Sequence, residues 1–423
     1  MLFWLLGILL MGGLGAAGRA VGATRYAVIL LGLWISHFVA VGLDAKLIDW
    51  MLNKEGKLAN PLLNWVLPSV ILYAASAVVF IIIAQVVYTK VLVFYKYKMP
   101  DERRVSWDRM DRGVGIPLGV AVGATLLIEL GILIHAVGYW TVQLEASSPE
   151  ENPPLVKIFN PLKKGLHGSG LEPMVLSLDP CPDLFYDIAD TVGVVYNNPD
   201  TKLRLTTYPG TLTLAEQDVF KAISADEGIQ LAIDGQKNFE ALISGPLISN
   251  PVLYSPAVRS TLFNLDWKDL RAYLETGESP KYKDEKLLGK WNIFVAGTRV
   301  RINDHFEDDD KTAILTLEKI RRQFPVIVRE LQFLAAGDGS AMLKGRITSI
   351  GDVKSLIEGK PLQAPSGKAP EAPVIILSGT WESTDGSYTV NWENDHGSGE
   401  CEIQEDKGTV TVPLGAGTLV LRR

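Results

Sequence analysis

Hydrophobic residues are concentrated in the first third of the chain, where they form four long stretches. The stretches are 2–18, 26–43, 65–88 and 113–140. Crossing about 30 Å of hydrocarbon takes roughly 20 helical residues at a rise of 1.5 Å each, and these stretches approach or exceed that length. Backbone groups in lipid must form hydrogen bonds within their own segment, so helices are expected. The pattern therefore predicts an all-α transmembrane bundle of four helices over residues 1–146.

The first stretch has a second interpretation, because its length and small terminal residues also suit a cleaved signal peptide. It lacks the positively charged start that such peptides carry. Its glycines and alanines are typical of helices that pack closely in lipid. A retained first helix is the expectation, and cleavage is the alternative.

Basic residues between the stretches predict the orientation of the helices. The first and third connections together carry nine of them, and the second connection carries three. The first group is Arg19, Arg25, Lys90, Lys96, Lys98, Arg103, Arg104, Arg109 and Arg112, and the second is Lys46, Lys54 and Lys57. Connections rich in lysine and arginine stay in the cytoplasm. Both termini, and the region after the fourth helix, are therefore predicted on the outer side of the membrane.

The fourth stretch carries a regular spacing of glycines. Asp111 and Arg112 precede Gly115, Gly119 and Gly123, which gives the pattern DRxxGxxxGxxxG. Glycines at every fourth position form a flat strip on which a neighbouring backbone can approach closely. The strip predicts a packing seam within the bundle or between subunits, and a pore-lining strip is the alternative.

An ionisable residue, Glu129, lies near the middle of the same stretch. A carboxylate in lipid is costly, so it must be neutral, paired or in contact with water. One hypothesis is a proton- or ion-responsive site, in which His37 or Gln85 from another helix is the partner. The other is a neutral carboxyl that forms a hydrogen bond with Thr125, one turn earlier.

These features together resemble the colicin V production (CvpA-like) family of bacterial inner-membrane proteins. The likeness rests on two opening helices joined by the short turn Gly18-Arg19…Arg25, on the long third helix and on the glycine pattern that starts at Asp111. It covers about residues 1–145. The resemblance implies a multi-pass protein of the bacterial inner (cytoplasmic) membrane, with a role in colicin V or toxin production or export and in envelope homeostasis. The charged residues of its cytoplasmic end would be Arg19, Arg25, Asp111 and Arg112.

Charge separates this front part from the rest of the chain. Residues 1–146 contain 12 basic and 9 acidic residues, whereas residues 147–423 contain 29 basic and 39 acidic ones. A basic, apolar part followed by an acidic, polar part is the charge distribution of a membrane anchor with a soluble domain. Nucleic acid is not an expected partner, because phosphate binding requires clustered lysines and arginines.

Three segments are predicted in the soluble part. They are an α+β region over 147–358, a Pro/Ala/Gly linker over 359–373 and a small antiparallel β meander over 374–423. The last segment alternates apolar and polar residues in five short runs, with Tyr388, Val390 and Trp392 on one face and Trp381 nearby. It resembles a fragment of a lipocalin-like barrel. Fifty residues make a small core, so this domain is expected to dock on the preceding one.

Helices are expected at three places in the α+β region. Thr213 and Glu216 form the pattern of a capping box, which would open a helix through Ala222. Prolines and a glycine divide 250–278 into two short helices. A third helix is expected over Lys311–Gln323, because acidic residues precede it and two arginines end it.

Residues with chemical function are few. Cys181 and Cys401 are the only cysteines, and they either form one disulfide in an oxidising compartment or remain unpaired. The acidic run 304–310, which contains His305, lacks the spacing and the glycine of a calcium loop. No catalytic or phosphate-loop signature occurs in the sequence. An enzyme activity, a metal site and a cofactor are therefore not expected.

The leading functional hypothesis is an oligomeric membrane scaffold of the cell envelope, whose outward, periplasmic domain binds a partner. The expected partners are the lipid bilayer, further copies of this chain and an envelope protein. The alternative is a small ion channel or proton-linked transporter built around the fourth helix and Glu129.

Overall fold

A computed structural model gives the fold of most of the chain. It describes residues 2–52, 61–143, 145, 152, 154–198, 201–225, 260–261, 263–303, 311–347, 349–363, 370–393 and 396–423. The chain forms two compact units. One contains Met1–Asn197 and Ile223–Trp267, and the other contains Asn198–Ala222 and Lys268–Arg423.

Four long helices open the first unit. They are α1 (Leu2–Val21), α2 (Ala23–Leu52), α3 (Pro61–Lys98) and α4 (Asp101–Gln143). Each is long and apolar enough to cross a membrane, which confirms the four predicted apolar helices. The helices extend past the apolar stretches because their polar ends also favour a helix. An acidic pair opens α4 and a basic pair closes α3, where the helix dipole stabilises each charge.

The glycine strip of α4 packs against α1 within the bundle. A Cβ atom on Gly115 would lie 2.2 Å from the carbonyl oxygen of Gly18, and one on Gly119 would lie 2.1 Å from that of Leu14. Gly123 lies equally against the α1 backbone, at Leu10. Side chains at these positions would collide with the α1 backbone, so only glycine permits the contact. The strip is therefore a packing seam inside the bundle and does not line a pore.

Shorter helices follow α4 in the first unit. They are α5 (Pro154–His167), α6 (Glu172–Ser177) and α7 (Asp183–Asn197). All three pack on the end of α4 that lies away from the α1–α2 turn. We call this end of the bundle the domain end, and we call the end that contains the α1–α2 turn the turn end. An apolar core joins Phe3, Leu127, Leu166 and Val175 at the domain end. Trp65 packs edge-on against Phe185 in a second core.

The second unit contains an eight-stranded antiparallel barrel. Its strands are β1 (Gly289–Ile293), β2 (Arg329–Ala335), β3 (Ser340–Arg346), β4 (Val374–Thr384), β5 (Ser387–Trp392), β6 (Ser398–Gln404), β7 (Thr409–Leu414) and β8 (Gly417–Arg422). Each strand pairs with the next one along the chain. The sheet closes where Asn292 and Ile293 of β1 pair with Arg422 and Leu421 of β8.

Side chains of the strands fill the interior of the barrel. Alternate residues of a strand point to the same side of a sheet, and on β5 the buried residues are Tyr388, Val390 and Trp392, as the sequence predicts. They share one apolar core with Trp381 and with residues from all the other strands. Phe333 from β2 is fully buried in this core. The described barrel residues thus form a packed core and not an open calyx.

The prediction of a small separate meander understates the sheet. Strands β4–β8 are the five predicted strands, but β1–β3 precede the segment 359–373 and complete the same barrel. The Pro/Ala/Gly segment therefore leads to β4 within one domain and does not separate two domains. The closing pair of β1 and β8 joins residues that are far apart in the chain, and such pairing leaves no short-range pattern. Strands β2 and β3 form a local hairpin, which sequence reasoning missed.

Further helices complete the chain. They are α8 (Thr201–Leu205), α9 (Asp218–Ala225), α10 (Trp267–Thr276), α11 (Val295–Asn303), α12 (Lys311–Ile327) and α13 (Ile350–Ile357). Helix α12 confirms the helix predicted over Lys311–Gln323 and runs one turn further than expected. Helix α10 confirms the second of the two helices expected in 250–278, whereas 250–259 and the acidic run 304–310 lie outside the described residues.

The predicted capping box is wrong. The Thr213 hydroxyl donates to Asp338 at 3.4 Å instead of capping a helix. The residues that follow form a short 3-10 turn, Leu214–Glu216, and α9 begins only at Asp218. Glu216, the other half of the expected box, forms an ion pair with Lys344 of β3. Contacts with the barrel thus replace the local cap.

The glycine seam gives a direct test of the α1–α4 contact. We expect Gly119→Ala to destabilise the bundle by about 1–3 kcal/mol, because the new methyl group collides with the backbone of α1. Gly113→Ala is the matched control, since a Cβ atom there meets nothing within 4 Å. The measurement is the unfolding free energy of both variants in detergent, and equal stability would contradict the seam.

Candidate functional site

Two ionisable side chains meet inside the transmembrane bundle. His37 on α2 places its Nδ1 atom 3.1 Å from Oε1 of Glu129 on α4. Their side chains are only 9% and 19% exposed, so both are largely removed from the surface of the bundle. The structure thus brings Glu129 together with one of its two predicted partners. A carboxylate and an imidazole at this distance can share or exchange one proton.

The structure does not show Glu129 paired with either of its other two predicted partners. Gln85 is exposed on α3. The hydroxyl of Thr125 donates to the carbonyl of Ala121 in its own helix, at 3.1 Å. Of the two hypotheses for Glu129, the structure therefore shows the pair with another helix.

Tyr73 on α3 is a third member of this site. Its phenol interacts electrostatically with Glu129, and its hydroxyl is buried without a hydrogen-bond partner. Ser69, one turn earlier on the same face, also has a buried hydroxyl without a partner. Buried polar groups of this kind cost about 1–3 kcal/mol each, so this face of α3 favours a group that can form hydrogen bonds with it.

Hydrogen bonds between serines continue the polar face of α3. Ser36, the neighbour of His37, donates to the carbonyl of Gly32 at 2.7 Å and lies 3.0 Å from the hydroxyl of Ser76. Sequence reasoning missed Ser69, Tyr73 and Ser76. Their spacing of four and three residues in an otherwise apolar stretch is a signal that places them on one helix face.

The site lies closer to the domain end than to the turn end. Eighteen residues separate Glu129 from Asp111, which corresponds to about 27 Å along the helix. On the turn-end side the bundle is filled by an apolar core that includes Tyr26, Leu33 and Val122. The polar side chains around Glu129 therefore lie on the domain-end side of that apolar core.

At the turn end, Asp111 caps a helix of the bundle. Its carboxylate accepts hydrogen bonds from the backbone N–H of Thr24 at 2.9 Å and from the Thr24 hydroxyl at 2.8 Å. An acidic group at the start of α2 satisfies N–H groups that have no partner in the helix. Gly22 makes the turn itself, with φ +95°, and a Cβ atom there would lie 2.1 Å from Asp111.

The three arginines predicted at this end have different surroundings. Arg25 stacks its guanidinium 3.8 Å above the ring of Tyr88 on α3, whereas Arg19 and Arg112 are exposed. Asp111 and Arg25 thus join α2 to its neighbours.

A second polar cluster lies at the domain end, where α4, α5 and α6 meet. Lys163 on α5 places Nζ 3.0 Å from Oε1 of Glu172 on α6 and also contacts His135 on α4. His167 forms a hydrogen bond with the other carboxylate oxygen of Glu172. Burial tends to raise the pKa of Glu172, but the hydrogen bonds and charges of Lys163 and His167 outweigh it, so the pKa is lowered.

Two tyrosines extend this cluster towards α7. Tyr139 donates to Asp190 at 2.7 Å, and Gln143 donates to the same carboxylate oxygen at 2.7 Å. Tyr186 donates to Asp179, and burial together with that carboxylate raises the pKa of the phenol. These polar contacts hold α5, α6 and α7 to α4.

The second unit has an open cleft of about 750 Å³ beside β1 and β6. Ion pairing and stacking occupy much of its wall. Lys286 pairs with Glu405, and Arg423 lies 4.6 Å above the ring of Trp291 while it donates to the carbonyl of Leu288. Lys286, Glu405 and Arg423 therefore contact one another or the barrel.

The two cysteines are not joined by a disulfide. Cys401 is buried in the barrel, and burial, with a smaller effect from Glu400, raises the pKa of its thiol to about 12. Cys181 belongs to the first unit and Cys401 to the second. Of the two alternatives that the sequence left open, the structure shows separate thiols.

Metal-ligating residues do not gather within the described part of the chain. No group of three or more His, Cys, Asp or Glu side chains there has an arrangement that could hold a metal ion. His305 and the acidic run around it lie outside that part.

Comparison with known proteins gives no relative. No protein family, no curated protein and no solved structure matches this chain. The geometry of the chain itself therefore carries the functional argument.

The domain-end cluster gives a pH prediction. Because the pKa of Glu172 is lower in the folded protein, its contribution to stability is present above its ordinary pKa of 4.5 and is lost as the pH falls through the lowered value. We expect Glu172→Gln to weaken the fall of the melting temperature between pH 6 and pH 3 (a range of roughly three units around that value). Glu145→Gln is the control, since Glu145 forms only an exposed ion pair, with Lys164 at 3.7 Å. Identical pH profiles of the two variants would contradict the assignment.

Proposed function

We propose that this chain is a multi-pass protein of the bacterial inner membrane that acts as an oligomeric scaffold of the cell envelope. Its four helices hold the barrel domain, and that domain binds an envelope protein on the periplasmic side. The role that the CvpA-like resemblance implies, in colicin V or toxin production or export and in envelope homeostasis, is part of this proposal. It includes neither an enzyme activity nor a cofactor.

The packed interior of the barrel is the observation that carries the proposal. Val390, Val412 and Leu419 are fully buried and belong to the core that all the strands share. An eight-stranded barrel is only wide enough for side chains or one small ligand, and here side chains occupy it. A domain of this kind recognises a partner with its outer surface. Its attachment to four helices that are apolar enough to cross a membrane supports a partner at the membrane.

The oligomeric part of the proposal rests on α3. The glycine seam is already occupied by α1, so self-association requires another surface. Helix α3 exposes a run of large apolar side chains, which are Ile71, Val78, Val79, Ile81, Ile82, Ile83 and Val86. These residues contact lipid in a single copy and are available to a second copy of the chain.

Complementation of a strain that lacks this chain tests the scaffold function. We expect the intact chain to restore export of colicin V, and we expect Val412→Asp to abolish that restoration, because an unpaired charge would be buried in the barrel core. Glu382→Gln, on the exposed face of β4, is the matched control and should restore export fully. Normal export with Val412→Asp, or an export defect that the intact chain does not repair, would contradict the proposal.

Reporter fusions after residues 22, 55, 100 and 150 locate the barrel in the same cells.

A second candidate function is a proton-linked transporter or small ion channel at Glu129. The observation that favours it is the pair of His37 and Glu129, with the unpartnered hydroxyls of Tyr73 and Ser69 on the adjoining helix. Ionisable residues that face one another inside a membrane span often belong to proton pathways. Since α1 covers the glycine strip, this pathway would run between α2, α3 and α4.

Proton flux into liposomes separates the two candidates. If the second function holds, the purified chain should acidify the lumen of vesicles that contain a pH-sensitive dye. Glu129→Gln should reduce this proton flux at least about tenfold, because the residue that carries the proton is lost. Glu145→Gln is the control outside the bundle and should keep the flux. Folded protein that passes no protons, or full flux with Glu129→Gln, would remove this candidate.

A further inference from the structure

Helix α5 lies at the same depth in the membrane as the start of α1. Phe3 is fully buried beneath α5 and α6, where it contacts Leu166 and Val175. A Cβ atom on Gly165 of α5 would lie 3.1 Å from the Cβ atom of Phe3. Helix α5 therefore rests directly on the first turn of a transmembrane helix.

The length of α1 fixes that depth. The helix has 20 residues, which correspond to about 30 Å, the thickness of the hydrocarbon core. Its last turn lies at the turn end, beside Gly22 and Asp111. The first turn of α1, and with it α5, therefore lies at the opposite boundary between hydrocarbon and headgroups.

Helix α5 exposes apolar residues near its N-terminal end. The helix packs on the bundle through Val156, Asn160 and Leu166, which are buried. In its first turns, Leu155 and Ile158 are open and are 45% and 54% exposed. Residues three apart lie on the same side of a helix, so these two form one patch.

Another side of α5 carries two lysines. Lys157 and Lys164 lie seven residues apart and both are exposed, and Lys164 also forms an exposed ion pair with Glu145 at 3.7 Å. At about 100° per residue they share one side of the helix and lie roughly 100° or more from Leu155 and Ile158. An apolar side next to a basic side is the arrangement of a helix that lies in the surface of a membrane.

The apolar patch continues onto surfaces that already face lipid. Next to the buried Phe3, α1 exposes Leu2, Trp4 and Leu5. Helix α6, which packs on the same core, exposes Met174 and Leu176 on either side of the buried Val175. Exposed apolar surface of this extent marks an interaction site, and its continuity with a membrane span identifies lipid as what covers it.

We propose that α5 is a membrane-surface helix, with Leu155 and Ile158 inserted among the lipid acyl chains at the domain end and with Lys157 and Lys164 directed to the headgroups. The partner of this surface is the lipid leaflet and not a second protein. The polar cluster of Lys163, Glu172 and His135 then holds this helix to α4 just above the hydrocarbon. The inference depends on the four membrane spans and is independent of both proposed functions.

Spin labels on the full-length chain test this surface. The labels are placed by Ile158→Cys, and separately by Leu155→Cys, in a chain that carries Cys181→Ser and Cys401→Ala. The protein is reconstituted in vesicles of phosphatidylethanolamine and phosphatidylglycerol. We expect the label at either position to be several-fold more accessible to oxygen, which dissolves in hydrocarbon, than to a water-soluble nickel chelate. Leu9→Cys, on the lipid-facing side of α1, is the reference for lipid contact.

A label introduced by Lys164→Cys on the same helix is the matched control, and we expect the opposite preference there. Labels at 155 and 158 that favour the nickel chelate as strongly as the label at 164 would show a solvated surface and overturn the proposal. Labels at 155 and 158 that neither reagent reaches would show that the barrel domain or a second copy covers the patch, which also overturns it.

Discussion

Direct backbone contact between α1 and α4 supports the membrane part of this protein. Helices in lipid gain nothing from the hydrophobic effect when they associate, because acyl chains are as apolar as leucine, so close packing must hold them together. Gly115 and Gly119 supply that packing by admitting the carbonyl groups of Gly18 and Leu14. The same helix continues to Gly131, where a Cβ atom would lie 2.8 Å from Val175. Helix α4 thus contacts α1, α2, α5, α6 and α7, whereas α3 packs chiefly on α2.

Polar side chains along α4 decide which element packs at each level. Asp111 binds the start of α2, and Glu129 contacts His37 further along α2. Nearer the domain end, His135 meets Lys163 of α5, and Gln143 binds Asp190 of α7. An unpaired polar group costs most where the dielectric constant is low, so each of these contacts disfavours other arrangements of the helices. The glycines provide the close contact, and the polar residues provide the register.

The barrel obeys a different constraint, because its apolar side chains point into its own interior. Burial of apolar side chains drives its formation, and pairing of β1 with β8 removes the two exposed strand edges that an open sheet would present. Its core is shared by all eight strands, which is why a fragment that begins at β4 would lack part of its own interior. The membrane-surface helix and the barrel thus belong to two units that are stabilised by unlike forces.

The sequence by itself determined the features that depend on neighbouring residues. The lengths of four apolar runs specified four candidate spans. The thickness of the bilayer sets the minimum helix length, and each run reaches or approaches that length without help from the others. Alternation of apolar and polar residues specified β4–β8, and the spacing of Gly115, Gly119 and Gly123 specified a seam. Only the tertiary structure decided that α1 fills the seam, that His37 and not Gln85 meets Glu129, and that β1–β3 close the barrel. Those contacts join residues far apart in the chain. Which partners meet depends on how all the elements pack together, and a local sequence pattern does not predict that packing.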